Sequence, residues 1–188
     1  WNAVGIGIAY NKAYDLLSQN YKDISPRLNL DTIVTFSDIK FYGSLARESY
    51  YPIQPDKFQV FKLDLPPYKV YLHDKLFDND DQAEYWAGKY SLKKFTDYYG
   101  SYYGKQHDIL DFKFTTGATR NLLIIGTSYA RPLVPMLGSH YNHTYYLDLR
   151  QTHDFSLSQF IKEHPVDDVL FFGYNPVTII DGFWAINP

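Results

Sequence analysis

The feature that most constrains this chain is a short apolar run that ends in a glycine and two hydroxyl residues. Residues 122–125 are all leucine or isoleucine, and a run of this length is typical of a strand buried on both faces. Gly126 ends the run, and Thr127 and Ser128 follow it. A helix-like segment then covers 130–137. The order predicts a strand, a tight turn and a helix, with the Ser128 hydroxyl in the turn.

The predicted turn is a position where catalytic groups are common. In an open α/β sheet, ligands bind at the carboxyl ends of the strands, and Ser128 is expected there, near the positive end of the following helix. A serine nucleophile and an oxyanion-stabilising amide suit that place. Tyr129, the next residue, is therefore assigned to oxyanion or substrate binding. The alternative is that Ser128 only caps its helix.

The C-terminal part of the chain alternates between strand and helix patterns. Strands are predicted at 122–126, 144–149 and 166–174, with helices at 130–137 and 156–163. This alternation favours an α/β fold whose sheet is mostly parallel.

Two polar residues follow the second and third of these strands. Arg150 is expected at the same carboxyl edge as the serine, where its guanidinium can bind a carboxylate or a developing oxyanion. The alternative is an ion pair with Asp148 or Asp154. Asn175 is a candidate oxyanion donor, or it only forms an Asx turn before Pro176.

The N-terminal part contains one clear helix and several aromatic strands. Apolar residues recur at helical spacing over 3–17, and 32–36 and 109–114 are strand candidates. Alternating, turn-punctuated segments within about 38–75 predict a small antiparallel β insertion. A short helix is predicted near 91–98.

Composition excludes several classes of protein. The chain has 188 residues, which suits a single domain over 1–188. The absence of cysteine excludes disulfides and thiolate metal sites. A net charge of −3 gives no electrostatic footprint for nucleic acid. The 19 tyrosines are explained first by strands and core, and second by a surface that meets sugars or partner proteins.

The six histidines do not complete a catalytic triad with the serine. None lies in an Asp-x-x-His arrangement near the C-terminus. His140 and His143 form a His-x-x-His pattern, but they fall in an expected loop without an evident third ligand, so no metal site is predicted. His164 precedes Pro165 at a helix end.

Several blocks of the chain resemble the DHHW family, SGNH-hydrolase-like proteins of Gram-positive bacteria that are similar to alginate O-acetyltransferases. The blocks cover nearly the whole chain and are 41–45, 89–91, 122–130, 134–137, 140–141, 147–150, 160–164 and 168–172. The resemblance implies a flavodoxin-like, three-layer domain with Ser128 as nucleophile. Trp1 looks like the end of the Asp-His-His-Trp motif, so the triad aspartate and histidine are expected just before Trp1. Where the family has aspartate, this chain has Thr127.

The activity implied by the resemblance is acyl transfer to or from hydroxyls of a bacterial cell-surface polysaccharide. We expect an extracellular or cell-surface protein, membrane-anchored at full length, that works with a membrane-bound O-acyltransferase. We expect no cofactor, no metal and no nucleic-acid partner. The alternative is a non-catalytic glycan-binding or scaffold domain of the cell envelope, which the threonine before Ser128 favours. An intracellular structural domain is the third reading.

Overall fold

The computed structural model describes residues 2–77, 81–148, 150–151 and 155–173. The described residues fall into two compact units. The first takes those within Trp1–Gly7, Leu28–Asp64 and Asn79–Lys105, and the second those within Ile8–Arg27, Leu65–Asp78 and Gln106–Pro188. The single-domain organisation expected from the sequence stays a prediction.

Helix α1, Ala3–Asn20, matches the predicted helix over 3–17. Its apolar positions repeat at helical spacing, and each of these side chains is buried: Ile6, Tyr10, Ala13, Tyr14 and Leu17. The helix therefore forms because one continuous stripe of its surface leaves water. None of the helices in the described ranges has the length and apolar character that a bilayer crossing needs.

The first unit has a two-stranded sheet, β1 (Ile33–Phe41) and β2 (Asp56–Phe61), paired antiparallel. Helix α2 (Ser44–Ser49) lies between these strands in the chain, and α3 (Asp81–Trp86) and α4 (Tyr98–Tyr103) follow later. Its core is largely aromatic because alternate strand residues and helix residues turn their rings inward. The core side chains are Phe36, Ile39, Phe58, Val60, Tyr85, Tyr98 and Tyr102.

The second unit is built on a six-stranded sheet in the order β4-β3-β5-β7-β6-β8. The strands are β3 (Tyr68–Leu72), β4 (Lys75–Phe77), β5 (Ile109–Phe114), β6 (Asn121–Gly126), β7 (His143–Leu147) and β8 (Asp168–Phe172). Helix α5, Leu133–Gly138, and helix α6, Leu157–Glu163, complete the described elements. The predicted apolar strand is β6, and residues 121–125 in it are buried.

The α/β character is confirmed, but the mostly parallel sheet is wrong: within the described residues this sheet is mostly antiparallel. Only the β6–β7 and β6–β8 pairs are parallel. The β3–β4, β3–β5 and β5–β7 pairs are antiparallel. Single helices, α5 and α6, connect β6 to β7 and β7 to β8, as parallel pairing requires, whereas β3 and β4 are joined by a short hairpin that reverses the chain.

The predicted antiparallel β segment is divided between two sheets. Strands β1 and β2 form the separate two-stranded sheet, whereas β3 and β4 extend the six-stranded sheet. The helix predicted near 91–98 is wrong, because Phe95 has a φ of 64°, which an α-helix cannot accommodate. The helix begins instead at Tyr98, after Asp97 caps it by accepting the Gly100 N–H.

Gly126 packs closely against β8 and against the turn that follows β6. A Cβ at this position would lie 2.5 Å from the Phe172 carbonyl oxygen and 2.8 Å from the Ala130 Cβ. We expect Gly126→Ala to lower the free energy of unfolding by about 1–3 kcal/mol, since both neighbours must move. Chemical denaturation measures this change.

Gly43→Ala is the matched control for Gly126→Ala. A Cβ at Gly43 would meet nothing within 4 Å, and its φ of −65° suits alanine. Its effect should stay within about 0.5 kcal/mol. Equal effects of the two substitutions would contradict the close approach at Gly126.

Candidate functional site

The chain leaves β6 through a turn that contains Ser128. The Ala130 N–H donates to the Thr127 carbonyl at 2.8 Å, and the Arg131 N–H donates to the Ser128 carbonyl at 3.4 Å. Helix α5 starts at Leu133 rather than at 130, and its N-cap residue makes no side-chain capping bond. Pro132, and not Ser128, is therefore the N-cap residue of α5, and the half-buried Ser128 side chain lies in the turn.

A buried tyrosine fixes the start of this turn. Tyr146 of β7 is 1% exposed, and its hydroxyl donates to the Thr127 carbonyl at 3.0 Å. Burial, followed by the nearby Asp148 carboxylate, raises the pKa of Tyr146, so the hydroxyl stays a donor. The backbone of Thr127, directly before Ser128, is thus held by a hydrogen bond from an uncharged tyrosine.

Thr127 itself is buried, and its Oγ1 has no hydrogen-bond partner. A buried hydroxyl without a partner is costly. The Thr127 side chain therefore supplies neither a charge nor a hydrogen bond beside Ser128.

Arg150 forms a two-point ion pair with Asp148, which confirms one alternative that the sequence left open. The guanidinium donates from Nε to Oδ1 at 2.9 Å and from Nη2 to Oδ2 at 2.6 Å. Asp148 is 1% exposed. The hydrogen bonds to Asp148 raise the pKa of Arg150. Because a guanidinium has five N–H donors and the side chain is 34% exposed, it can still bind an anionic group.

The turn and the ion pair follow neighbouring parallel strands. Ile125 of β6 pairs with Leu147 of β7, so Ser128 and Arg150 lie beyond the same edge of the sheet, as the sequence predicted. Tyr129 is half-buried in the turn. The catalytic roles of these residues stay predictions. Trp1 and Asn175 lie outside the described residues.

The described histidines make other contacts. His73 pairs with Asp108 at 3.0 Å, and His143 with Asp111 at 3.3 Å. The Nδ1 atom of His164 lies 3.1 Å from the carbonyl oxygen of Phe160. His107 packs against Phe77.

His140 bonds to Tyr10 and Ser25, so the His-x-x-His pair is divided between two separate sets of contacts. In the part of the chain that the structure describes, no group of three acidic or histidine side chains can hold a metal ion. His153 lies outside that part.

Sequence reasoning missed Tyr146, although it contacts the turn directly. A tyrosine in an aromatic-rich strand gives no sign of its hydroxyl's partner. The sequence identifies Asp148 only as a possible partner of Arg150 and does not indicate that it is almost completely buried.

Comparison with known proteins shows similarity of fold but not of sequence family. No protein-family profile matches the chain, and no curated protein sequence does. Several solved structures match, among them three that cover 100% of this chain. PatB1 from Bacillus cereus matches with a TM-score of 0.75 and 18% identity in a structure with a sulfonyl adduct. A second PatB1 structure gives 0.67 and 17%, and a DHHW family protein from Eubacterium siraeum gives 0.67 and 22%.

The chain spans 58–62% of the length of these three structures. At such low identity, what is shared is the fold. The chain is therefore similar in fold to PatB1 and to a DHHW family protein.

Proposed function

We propose that this chain is part of an SGNH-like serine acyl transferase or esterase that acts on O-acyl groups of a bacterial cell-surface polysaccharide. Ser128 is the nucleophile. The observation that carries the proposal is the position of Ser128, half-buried beyond the end of β6 at the sheet edge that also holds Arg150. The fold likeness to PatB1, one structure of which carries a sulfonyl adduct, supports it.

The proposed reaction has two steps. A histidine base removes the Ser128 proton while Oγ attacks the acyl carbon, and the same histidine returns the proton to the departing alcohol. The Tyr129 amide and Arg150 stabilise the oxyanion. A sugar hydroxyl or water then takes the acyl group from Ser128 in the reverse sequence.

The base belongs to the Asp-His-His-Trp motif that the resemblance puts immediately before Trp1. We propose an extracellular or cell-surface location, a membrane anchor in the full-length protein and a membrane-bound O-acyltransferase as acyl donor. Asn175 is proposed as a further oxyanion donor.

A sulfonyl fluoride tests the nucleophile directly. An activated serine oxygen forms an S–O bond with the sulfonyl group and releases fluoride. The test uses a protein that includes any segment encoded before Trp1. We expect phenylmethanesulfonyl fluoride to modify Ser128 in this protein. Peptide mass spectrometry locates the added mass.

Ser158 is the internal control, because it is exposed on α6 and should stay unmodified. Equal labelling of both serines, or labelling of Ser158 alone, would show that Ser128 is not activated.

The second candidate function is a non-catalytic glycan-binding or scaffold domain of the cell envelope. Thr127 favours this function. The resemblance implies a charged aspartate beside the nucleophile, whereas the Thr127 Oγ1 is uncharged, buried and without a hydrogen-bond partner. Polysaccharide binding by a protein that neither hydrolyses esters nor accepts the sulfonyl label would select this function.

A further inference from the structure

The second unit contains a cavity of about 510 Å³ at the other end of β6 from Ser128. Arg120, which immediately precedes β6, lies in its wall, together with Lys22, Asp23, Ser25, Thr119 and His140. The volume lies within the range of small-molecule sites. Because β6 has six residues, about 20 Å of strand separates this cavity from the Ser128 edge.

A serine hydroxyl in the cavity wall is held in place before any ligand arrives. Ser25 Oγ lies 2.7 Å from His140 Nδ1, and the Ser25 carbonyl accepts from the Tyr14 hydroxyl at 2.8 Å. His140 is fixed in turn by the Tyr10 hydroxyl, 2.8 Å from Nε2. Tyr10 and His140 are 0% and 2% exposed. A polar group that is ordered in advance costs little entropy when it binds a ligand.

Among the described residues, the cavity wall has no cluster of unopposed positive charge. Arg120 donates from Nε and Nη2 to Asp168 at 3.1 and 2.8 Å, so its charge is already matched. Lys22 and Asp23 are of opposite sign.

The imidazole in the wall is also uncharged. Burial lowers the pKa of His140 to about 4, so the ring is neutral at pH 7. A wall with hydroxyls, the Asn20 amide and no cluster of unopposed positive charge favours an uncharged, hydroxyl-rich ligand over an anion.

We propose that this cavity is a second saccharide-binding site, which takes an uncharged sugar unit and uses the Ser25 hydroxyl as an anchor. The assignment of a sugar, rather than another polyol, rests on the proposed function. The cavity and Ser128 lie at opposite edges of one sheet, so a polysaccharide bound at both would gain affinity from two weak contacts.

The test is a titration of the Ser128→Ala protein with cellotriose and with chitotriose, followed by NMR. The ring signals of His140 and the amide of Gly117, both in the cavity wall, should shift in a saturable way with at least one sugar. Ser25→Ala should weaken that binding at least fivefold, and Thr119→Val should also weaken it. Ser158→Ala, on exposed α6, should leave it unchanged.

The absence of saturable shifts with both sugars would overturn the proposal, as would unchanged affinity in both wall variants. Competition by inorganic phosphate would show an anion site and would contradict the ligand class. Because binding is measured without the nucleophile, this result is independent of ester turnover. A failure of Ser128 as nucleophile leaves the binding result standing.

Discussion

Replacing Ser128 with alanine is expected to lower ester turnover by at least about 10³-fold, as the loss of a nucleophile does in serine hydrolases. The turn places this hydroxyl beyond the same edge of the sheet as Arg150, and alanine removes the oxygen that is proposed to take the acyl group. The measurement is release of 4-nitrophenol from 4-nitrophenyl acetate, and of acetate from an O-acetylated polysaccharide. It uses the chain together with any segment encoded before Trp1.

Ser158→Ala controls for the loss of a hydroxyl, and its turnover should match that of the unchanged protein. The free energy of unfolding of both variants should stay within about 0.5 kcal/mol of the unchanged protein, so that activity is compared between equally folded samples. Undiminished turnover in Ser128→Ala would remove the nucleophile from the proposal.

The strand and turn that carry Ser128 could be predicted because their signal is local. Four apolar residues followed by glycine specify a buried strand and its end. The shared edge with Arg150 also followed, since neighbouring parallel strands end on the same side. Asp97 carried a further local signal, a helix N-cap, that would have placed α4 correctly.

The direction of the other strands could not be read in the same way. Alternating residues in β3 and β5 indicate strands but do not name their neighbours. The antiparallel β5–β7 pair joins Leu110 to Tyr146, and the energy that selects it comes from packing across the sheet. Local periodicity carries no information about that choice.

Buried hydrogen bonds were missed for the same reason. Ser25 and His140 are separated by 115 positions, and Tyr146 reaches the carbonyl of Thr127 from another strand. Each partner is chosen by the fold, because a polar group that loses water must find the nearest available donor or acceptor. The sequence shows His140 only as part of a His-x-x-His pattern and does not indicate a cavity beside it.

Acid is expected to destabilise the second unit through His140. Burial lowers the pKa of His140 to about 4, below the value of about 6.5 for an unfolded chain. The unfolded state therefore binds more protons between these values. The contribution of neutral His140 to the free energy of unfolding is therefore fully present above pH 6.5 and is lost as the pH falls towards 4. This one group should cost about 3 kcal/mol over that window.

The comparison of His140→Gln with the unchanged protein isolates this effect from the titration of carboxylates. Glutamine loses the hydrogen bonds to Tyr10 and Ser25, so the variant should be the less stable protein at pH 7. It has no proton to gain, and its deficit should therefore shrink by about 2–3 kcal/mol by pH 4.5. Urea denaturation at the two pH values measures the deficit.

Tyr10→Phe separates burial from hydrogen bonding as the cause. The substitution removes the hydroxyl bonded to His140 Nε2 and leaves the imidazole of His140 in an apolar environment. It should therefore lower the free energy of unfolding by about 1 kcal/mol at both pH values. Its pH dependence should match that of the unchanged protein, because burial is what keeps the imidazole neutral. A deficit of His140→Gln that stays constant from pH 7 to 4.5 would show that the pKa of His140 is not lowered in the folded protein.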